Sequence, residues 1–337
     1  MPFERIAALI LESGENSLRS AVIDQPNRFA YFGTDTFPSI VVKVRLSDFT
    51  RIGALTLASG ENTTLAAVID QPNGFAYFGT STSPGRVVKV RLSDFTRVGA
   101  LTLGSGEDYL VAAVIDQPNG FAYFGTGTEP GRVVKVRLSD FTRVGALAFE
   151  SGEGVPYGAI IDQPNGFAYF GTYTSPGIVI KVRLSDFTRV GALALASGEN
   201  SLYGAIIDQP NGFAYFGTYT DPGIVIRVRL SDFTRVGALT LGSGEARLAR
   251  PIIDQPNGFA YFGTVTSPGR VVKVRLSDFT RVGALTLESG ENLILEAIID
   301  QPNGFAYFGT DTEPGRVVKI KVGLPPKIDY LPIMGIG

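Results

Sequence analysis

Residues 64–103 read TLAAVIDQPNGFAYFGTSTSPGRVVKVRLSDFTRVGALTL, which is four short apolar segments separated by turns. The first segment ends in the turn Asp70-Gln71-Pro72-Asn73-Gly74. Proline presets φ in such a turn, the aspartate side chain can accept backbone N–H bonds, and glycine adopts positive φ without steric cost. No helical periodicity runs through the stretch, so the pattern indicates strands joined by tight turns.

The middle segments differ in the way their side chains alternate. Phe75-Ala76-Tyr77-Phe78-Gly79-Thr80 is apolar on both faces, which is typical of a strand covered by other sheets on both sides. The next segment, 87–92, alternates apolar residues with Lys89 and Arg91, the period of a half-exposed strand. Polarity therefore rises along the unit, as expected of a sheet that runs from a hub to a rim.

The same unit occurs seven times in the chain. Every interval between copies is 46 residues, which suits a four-stranded propeller blade of about 40–50 residues. The tetrapeptide Asp-Gln-Pro-Asn begins at Asp24, Asp70, Asp116, Asp162, Asp208, Asp254 and Asp300. The sequence predicts an all-β fold: one seven-bladed β-propeller over residues 1–322, with four antiparallel strands in each blade, followed by a tail at 323–337.

The two ends of the repeat array complement each other. Residues 3–11 align with residues 49–57, so the chain begins on a fourth strand, whereas the last repeat stops after its third strand, 317–322. We expect residues 3–11 to complete the last blade and close the ring. Closure would remove the open sheet edges that otherwise promote aggregation.

The aromatic second strand, Phe75-Ala76-Tyr77-Phe78, and the valine-rich third strand resemble the blades of bacterial YVTN-type and related WD40-like propellers. The resemblance covers residues 1–322. The Gly-His and Trp-Asp signatures of true WD40 repeats are missing, since the chain has no His and no Trp. The resemblance implies a fold. Because such propellers serve in binding and scaffolding and more distant ones in catalysis, it implies only a loose expectation about function.

Composition excludes several kinds of chemistry. The absence of Cys and His removes disulfides, thiolate nucleophiles, Ser-His-Asp arrangements and the usual zinc ligands. There is no glycine-rich phosphate loop, and 30 Lys and Arg against 32 Asp and Glu argue against a nucleic-acid surface. We therefore expect no enzyme activity and no cofactor. Carboxylate-only glycan hydrolysis or lysis stays open as an alternative.

Targeting signals are not visible in the sequence. No apolar run approaches the roughly 18 residues of a membrane span, and the N-terminus lacks the regions of a signal peptide. We expect a monomer without a membrane span. Both a bacterial cytoplasmic location and secretion after removal of a leader remain open. The tail, 323–337, is rich in proline and could pack on the propeller, dock to a partner, or act as an export or anchoring tag.

Two sets of repeated acids need an interpretation. The aspartates of the Asp-Gln-Pro-Asn turns are expected to cap those turns through backbone bonds. A glutamate follows each Ser-Gly pair, and we expect it to pair with repeated basic residues such as Lys43 and Arg45. A sevenfold carboxylate ring that binds calcium at the channel mouth is the alternative. These glutamates are Glu15, Glu61, Glu107, Glu153, Glu199, Glu245 and Glu291.

Differences between the copies collect in two loops. Asp-Gln-Pro-Asn is identical in all seven copies and Ser-Asp-Phe-Thr in all six internal ones. The loop before the first strand carries Ser17, Thr63, Tyr109, Val155, Ser201, Arg247 and Leu293, and two residues later Arg19, Leu65, Val111, Tyr157, Tyr203, Ala249 and Leu295. The loop between the second and third strands carries Asp35, Ser81, Gly127, Tyr173, Tyr219, Val265 and Asp311. In up-and-down blades both loops lie on one face, which we call the variable face. Selected diversification and simple tolerance of these loops both remain open explanations.

Four tyrosines from blades four and five are predicted to lie together on this face. Tyrosine offers large, rigid, amphipathic contacts at low entropic cost, and arginines on the next blade would supply charged donors at the edge. The predicted ligand-binding residues are Tyr109, Tyr157, Tyr173, Tyr203, Tyr219, Arg247 and Arg250. The predicted function is non-catalytic recognition of a protein or glycan through the variable face. The alternatives are a purely structural, recently amplified or engineered propeller, and a carboxylate-based glycan-active enzyme.

Overall fold

The computed structural model describes residues 3–324, which form seven four-stranded antiparallel sheets. Blade one comprises β2 (Leu18–Asp24), β3 (Phe29–Thr34), β4 (Ile40–Arg45) and β5 (Thr50–Thr56). Blade two comprises β6 (Thr64–Asp70), β7 (Phe75–Thr80), β8 (Arg86–Arg91) and β9 (Thr96–Thr102). Blade three comprises β10 (Leu110–Asp116), β11 (Phe121–Thr126), β12 (Arg132–Arg137) and β13 (Thr142–Ala148). Blade four comprises β14 (Pro156–Asp162), β15 (Phe167–Thr172), β16 (Ile178–Arg183) and β17 (Thr188–Ala194).

The remaining three blades repeat this order. Blade five comprises β18 (Leu202–Asp208), β19 (Phe213–Thr218), β20 (Ile224–Arg229) and β21 (Thr234–Thr240). Blade six comprises β22 (Leu248–Asp254), β23 (Phe259–Thr264), β24 (Arg270–Arg275) and β25 (Thr280–Thr286). Blade seven comprises β26 (Ile294–Asp300), β27 (Phe305–Thr310), β28 (Arg316–Lys321) and β1 (Glu4–Ile10). Short 3₁₀ turns occupy Gln255–Asn257 and Gln301–Asn303.

The N-terminal strand closes the ring, as the sequence predicts. β1 pairs antiparallel with β28, from Glu4 opposite Lys321 to Ile10 opposite Arg316. The innermost strand of blade one, β2, then packs beside β26 of blade seven. The seven-bladed all-β prediction is confirmed. Most of the predicted tail lies outside the described residues. Within residues 3–324, no helix has the length and apolar composition that a membrane span requires.

The core lies between blades. In each FAYFGT strand every residue after the first is buried, so the strand is covered on both faces as predicted. Gly79 permits this close approach, because a Cβ there would lie 2.8 Å from Leu110 Cβ of the next blade. Phe95 reaches back to Tyr31 of the preceding blade, with ring centroids 5.5 Å apart. An equivalent aromatic pair joins each of the seven blade junctions.

The innermost strands surround a central channel. Towards the face that carries the two invariant turns, which we call the constant face, alternate residues form rings of small and branched aliphatic side chains such as Ala67 and Ile69. These rings enclose a cavity of about 440 Å³. Burying the aliphatic residues of each inner strand against its neighbours supplies the hydrophobic driving force for assembly at the hub.

The invariant turn Asp70-Gln71-Pro72-Asn73 is held by its own side chains. Asn73 Nδ2 donates to both carboxylate oxygens of Asp70, at 3.1 and 2.8 Å, and Gly74 follows at φ 72°. The aspartate is therefore bonded within its own turn, but by the asparagine side chain, whereas the sequence predicted backbone donors. In blade one the Asn27 N–H also donates to Asp24, at 3.4 Å.

The repeated glutamates bind arginines of the outermost strands, so the predicted pairing with Lys43 and Arg45 is wrong. Glu15 accepts two bonds from Arg51 Nε, at 3.0 and 2.9 Å, and one from the Glu12 N–H. Arg45 instead pairs with Asp48. Lys43 Nζ lies 4.1 Å from the Phe29 ring centroid. Equivalent pairs join Glu61 to Arg97, Glu107 to Arg143, Glu153 to Arg189, Glu199 to Arg235, Glu245 to Arg281 and Glu291 to Arg5.

This arrangement does not form the carboxylate ring considered for calcium. Each glutamate lies beside an outer strand and is neutralised by its own arginine. In the part of the chain that the structure describes, no three Asp or Glu side chains are grouped as metal ligands. Burial opposes ionisation of Glu107, yet bonds from Arg143 and the Gly104 N–H hold its pKa below the ordinary value.

Replacing Arg143 by Ala should lower the free energy of unfolding, because Glu107 is only 3% exposed and would lose its counter-charge. We expect a loss of about 2 kcal/mol, less than the 3–5 kcal/mol of a fully buried pair, because Arg143 reaches solvent. The control is Arg137→Ala, which breaks the exposed pair with Asp140 in the same blade and should change nothing measurable. Urea unfolding of both variants measures the difference, and equal effects would contradict the prediction.

Candidate functional site

The variable face is a backbone frame that repeats in most blades and carries different side chains. In blade three, the Tyr109 N–H donates to Thr82 O of the preceding blade at 2.9 Å. The Gly127 N–H then donates to Tyr109 O. In six blades the residue at the position of Tyr109 has positive φ, from 43° at Thr63 to 56° at Ser201. In blade four the positive φ falls one residue earlier, at Gly154. The loop frame therefore repeats in six blades, where the differences on this face are differences of side chain.

The four tyrosines predicted to lie together are in contact. The rings of Tyr157 and Tyr203 are stacked, with centroids 4.8 Å apart and planes at 18°. Tyr173 lies 5.5 Å from Tyr157, and Tyr219 lies 5.1 Å from Tyr203. Tyr173 and Tyr219 complete the group at 6.3 Å. We call these four residues the tyrosine cluster.

The cluster presents ring edges and one open ring to solvent. Tyr173 is 46% exposed, whereas the other three rings are half-buried. Arg247 extends over Tyr219, with its guanidinium carbon 5.7 Å from the ring centroid, a cation–π contact at the edge of the cluster. Tyr109 is 44% exposed on blade three and makes no ring contact with the four. The structure thus brings together five of the seven predicted residues.

Arg250 lies in the channel mouth, whereas the sequence suggested an edge of the variable face. Its guanidinium crosses from blade six and donates to Leu65 O at 2.9 Å and Val111 O at 2.8 Å on the opposite blades. Its Nε lies 3.1 Å from a carboxylate oxygen of Glu296. Together with Tyr157, these side chains narrow the mouth to a cavity of about 20 Å³.

The inward turn of Arg250 results from an irregularity in β22. Regular pairing with β23 is interrupted between Ala249 and Ile252, a longer break than in the other blades. Pro251 lies in this interval and has no N–H to donate to the ladder. The interruption shifts the side-chain alternation by one, so that Ala249 becomes buried and Arg250 faces the channel.

Burial dominates the electrostatics of the mouth. It raises the pKa of Glu296 to about 8, although the charges of Arg250 and Arg19 act to lower it. Burial also raises the pKa of Tyr203 to about 12. Arg19 reaches outward to Asp311 at 3.1 Å and to Asp35 at 3.4 Å. The mouth therefore has an aromatic sector on blades four and five and a charged sector on blades six, seven and one.

Glu296 was not predicted from the sequence, although a signal for it exists. The third residue of the first strand is small in five blades and charged in the last two. In order, the seven residues are Ser20, Ala66, Ala112, Gly158, Gly204, Arg250 and Glu296. Two adjacent copies that acquire opposite charges at a buried position indicate a pair, and a comparison extended to this position would have found it.

Comparison with known proteins adds no further assignment. No protein-family model matches the chain, and no curated protein matches it significantly. The seven-bladed propeller is established by its strands and their pairing. Membership of the YVTN-type group remains a prediction.

Proposed function

We propose that the chain is a non-catalytic recognition scaffold that binds a segment of a partner protein through the tyrosine cluster. The observation that carries the proposal is the contiguity of the four rings on two neighbouring blades. Equivalent positions in blade two carry Leu65 and Ser81, and blade five holds its two tyrosines on the same loop frame as blade two. Because the frame does not require tyrosine, the cluster is a local departure suited to recognition.

The arrangement of the rings favours a protein over a glycan. Tyr157 and Tyr203 stack on each other, so their facing surfaces are not free to stack on a sugar ring. Their accessible parts are edges and hydroxyl groups, which suit the apolar side chains and peptide groups of a polypeptide. Arg247 at one side, and Arg19 with its two aspartates across the mouth, offer charges of both signs for orientation.

The acids near the cluster support a role without catalysis. Glycoside hydrolysis commonly requires one carboxylic acid and one carboxylate on either side of a shared substrate groove. Glu296 is buried against Arg250, and the half-buried neighbours Asp35 and Asp311 both bind Arg19. In these contacts the carboxylates hold arginines in place.

A variant assembled from the repeat's own residues tests the proposal. Tyr157→Leu and Tyr203→Leu introduce the residue of position 65, and Tyr173→Ser and Tyr219→Ser introduce that of position 81. We expect a displayed random-peptide library to yield binders to the wild-type protein whose affinity falls at least roughly a hundredfold for the fourfold variant, as for the loss of two or more aromatic anchors. Tyr109→Ser is the matched control, since this exposed tyrosine lies apart from the cluster, and should retain the affinity.

The outcomes separate the alternatives. Peptides that bind the fourfold variant equally well would overturn the assignment of the cluster. A glycan array that gives cluster-dependent binding where peptides give none would replace the protein ligand by a glycan. No binder of either class would favour the purely structural module.

A further inference from the structure

We propose that the constant face carries four equivalent sites for a neutral polyol of about monosaccharide size, each in a pocket between neighbouring blades. The pocket between blades one and two measures about 310 Å³. Matching pockets of about 290 Å³ each lie between blades three and four and between blades four and five. Such volumes are at the small end of ligand sites, about 300–1,000 Å³.

Both blades contribute polar groups to the first pocket. Asp24, Asn27 and Lys43 come from blade one. Gln71 and Ser93 come from the two invariant turns of blade two. The residues whose identity is most constant along the chain therefore line a cavity as well as form turns. Their constancy is explained by a repeated site at least as well as by turn formation alone.

The ammonium group in this pocket lacks a protein acceptor. Lys43 Nζ lies 4.1 Å from the Phe29 ring centroid and 5.5 Å from those of Tyr31 and Phe95. Among the hydrogen bonds and ion pairs of residues 3–324, none involves this group. Burial lowers the pKa of Lys43, while the more distant charge of Asp24 raises it. The group is thus held in place by aromatic rings on a side chain that lines the cavity.

A buried hydroxyl group at the same site also lacks a partner. Tyr169 lines the pocket between blades four and five. Its side chain is fully buried, and its oxygen has no hydrogen-bond partner in the protein. The equivalent oxygens of Tyr31, Tyr123, Tyr215 and Tyr307 share this property. Because these oxygens are closed off from solvent, a molecule in the pocket does not reach them, and the lysine remains the group available to it.

The mixture of groups indicates the ligand class. The charges of Asp24 and Lys43 cancel, so neither an anion nor a cation is favoured as a whole. Both donors and acceptors line the pocket, which suits hydroxyl groups because each can donate and accept. The ammonium group covers the face of Phe29, so an aromatic ligand has no ring to stack on.

Three of the seven junctions depart from the complete set, which leaves four. Arg28 replaces the turn glycine between blades seven and one, and its charge acts on Lys319 and Tyr307. Arg227 replaces the lysine between blades five and six. Between blades six and seven, Val322 O accepts a bond from the Tyr261 hydroxyl. The four junctions from blade one to blade five keep the aspartate, asparagine, lysine, glutamine and serine of the first pocket. Three of these pockets are described above, and we infer the one between blades two and three from its identical residues.

Equilibrium dialysis with glucose, galactose, mannose, fucose and myo-inositol tests the proposal. We expect saturable binding of at least one at about four molecules per chain. Lys89→Met, which alters the site between blades two and three, should lower the number by one. The matched control Lys319→Met alters the junction that Arg28 already occupies and should leave it unchanged. Arg28→Gly should add a fifth site.

One variant is expected to lose a bound molecule and another to gain one, and a folding defect would not produce a gain. No saturable binding of any neutral polyol would overturn the proposal, as would binding of inorganic phosphate or glutamate in their place. A number of bound molecules that is unaffected by Lys89→Met and by Arg28→Gly would overturn the location. The fourfold tyrosine variant should keep all four sites, so failure of the protein-binding proposal would remain distinguishable.

Discussion

Deleting residues 1–11 is expected to convert the closed ring into an associating, less stable protein. The deletion removes β1 and leaves the backbone groups of β28 without a partner strand. It also removes the Phe3 contact with Tyr261 and the Arg5 pair with Glu291. An open, regular edge pairs with other chains. We expect oligomers in light scattering and a fall in unfolding temperature of roughly 10 °C or more, since several kcal/mol are lost.

A circular permutant provides the control for this deletion. Residues 12–322 would be followed by Ser-Asp, as in the turns of the other blades, and then by residues 3–11. This chain contains the same strands but joins Val322 to Phe3 covalently. It should remain monomeric and unfold at or above the temperature of the parent protein, because the unfolded chain loses less entropy on closing the last blade. A deletion variant that stays monomeric with unchanged stability would show that β1 contributes little to closure.

Replacing Glu296 by Gln should stabilise the protein increasingly as the pH rises from about 4.5 to 8. Burial raises the pKa of Glu296 from 4.5 to about 8, so between these values the folded protein holds a proton that the unfolded chain releases. Folding stability therefore falls across this interval and is lowest above it. The glutamine has no such dependence. We expect a gain of up to roughly 4 kcal/mol above pH 8 and almost none near pH 4.5.

Glu296 lies among two arginines and two tyrosines, and its response to pH is compared with that of Glu107. Arg250 and Arg19 face it, and Tyr157 and Tyr203 share its cavity. Glu107→Gln is the contrasting variant, because the pKa of Glu107 is lowered and its ionised form stabilises the fold. That variant should be less stable than wild type at neutral pH and approach it in acid. Thermal unfolding followed over pH measures both, and parallel curves for wild type and Glu296→Gln would contradict the prediction.

The fold was predictable from the sequence because each repeat contains the strand and turn pattern of a complete blade. The doubly buried strand Phe75–Thr80 and the tight turn before it are local features, and the complementary ends of the array specify closure. Strand limits differ by a single residue, as at β28, where pairing extends from 316 to 321. The contact of the four tyrosines also followed from the repeat, since equal positions in neighbouring blades are equal positions in space.

The contacts that the sequence did not predict depend on the course of the backbone within and between blades. Glu15 binds Arg51 because the connector passes beside the outer strand, a route that no local pattern encodes. Arg250 enters the channel because Pro251 interrupts one strand ladder, which reverses the side-chain alternation expected from the other six copies. Both findings rest on backbone geometry, and only the second leaves a trace in composition.

The reach of Arg250 across the channel has a consequence for the number of repeats. Near-identical units pair equally well with one another, so the blade interfaces alone do not count their members. The guanidinium of Arg250, anchored in blade six, meets the carbonyls of Leu65 and Val111 only when the circle has its present width. An eighth unit would move those carbonyls away and leave Arg250 with Glu296 alone as its partner. The contacts of one side chain thus depend on the number of blades, which the near-identical repeats alone do not determine.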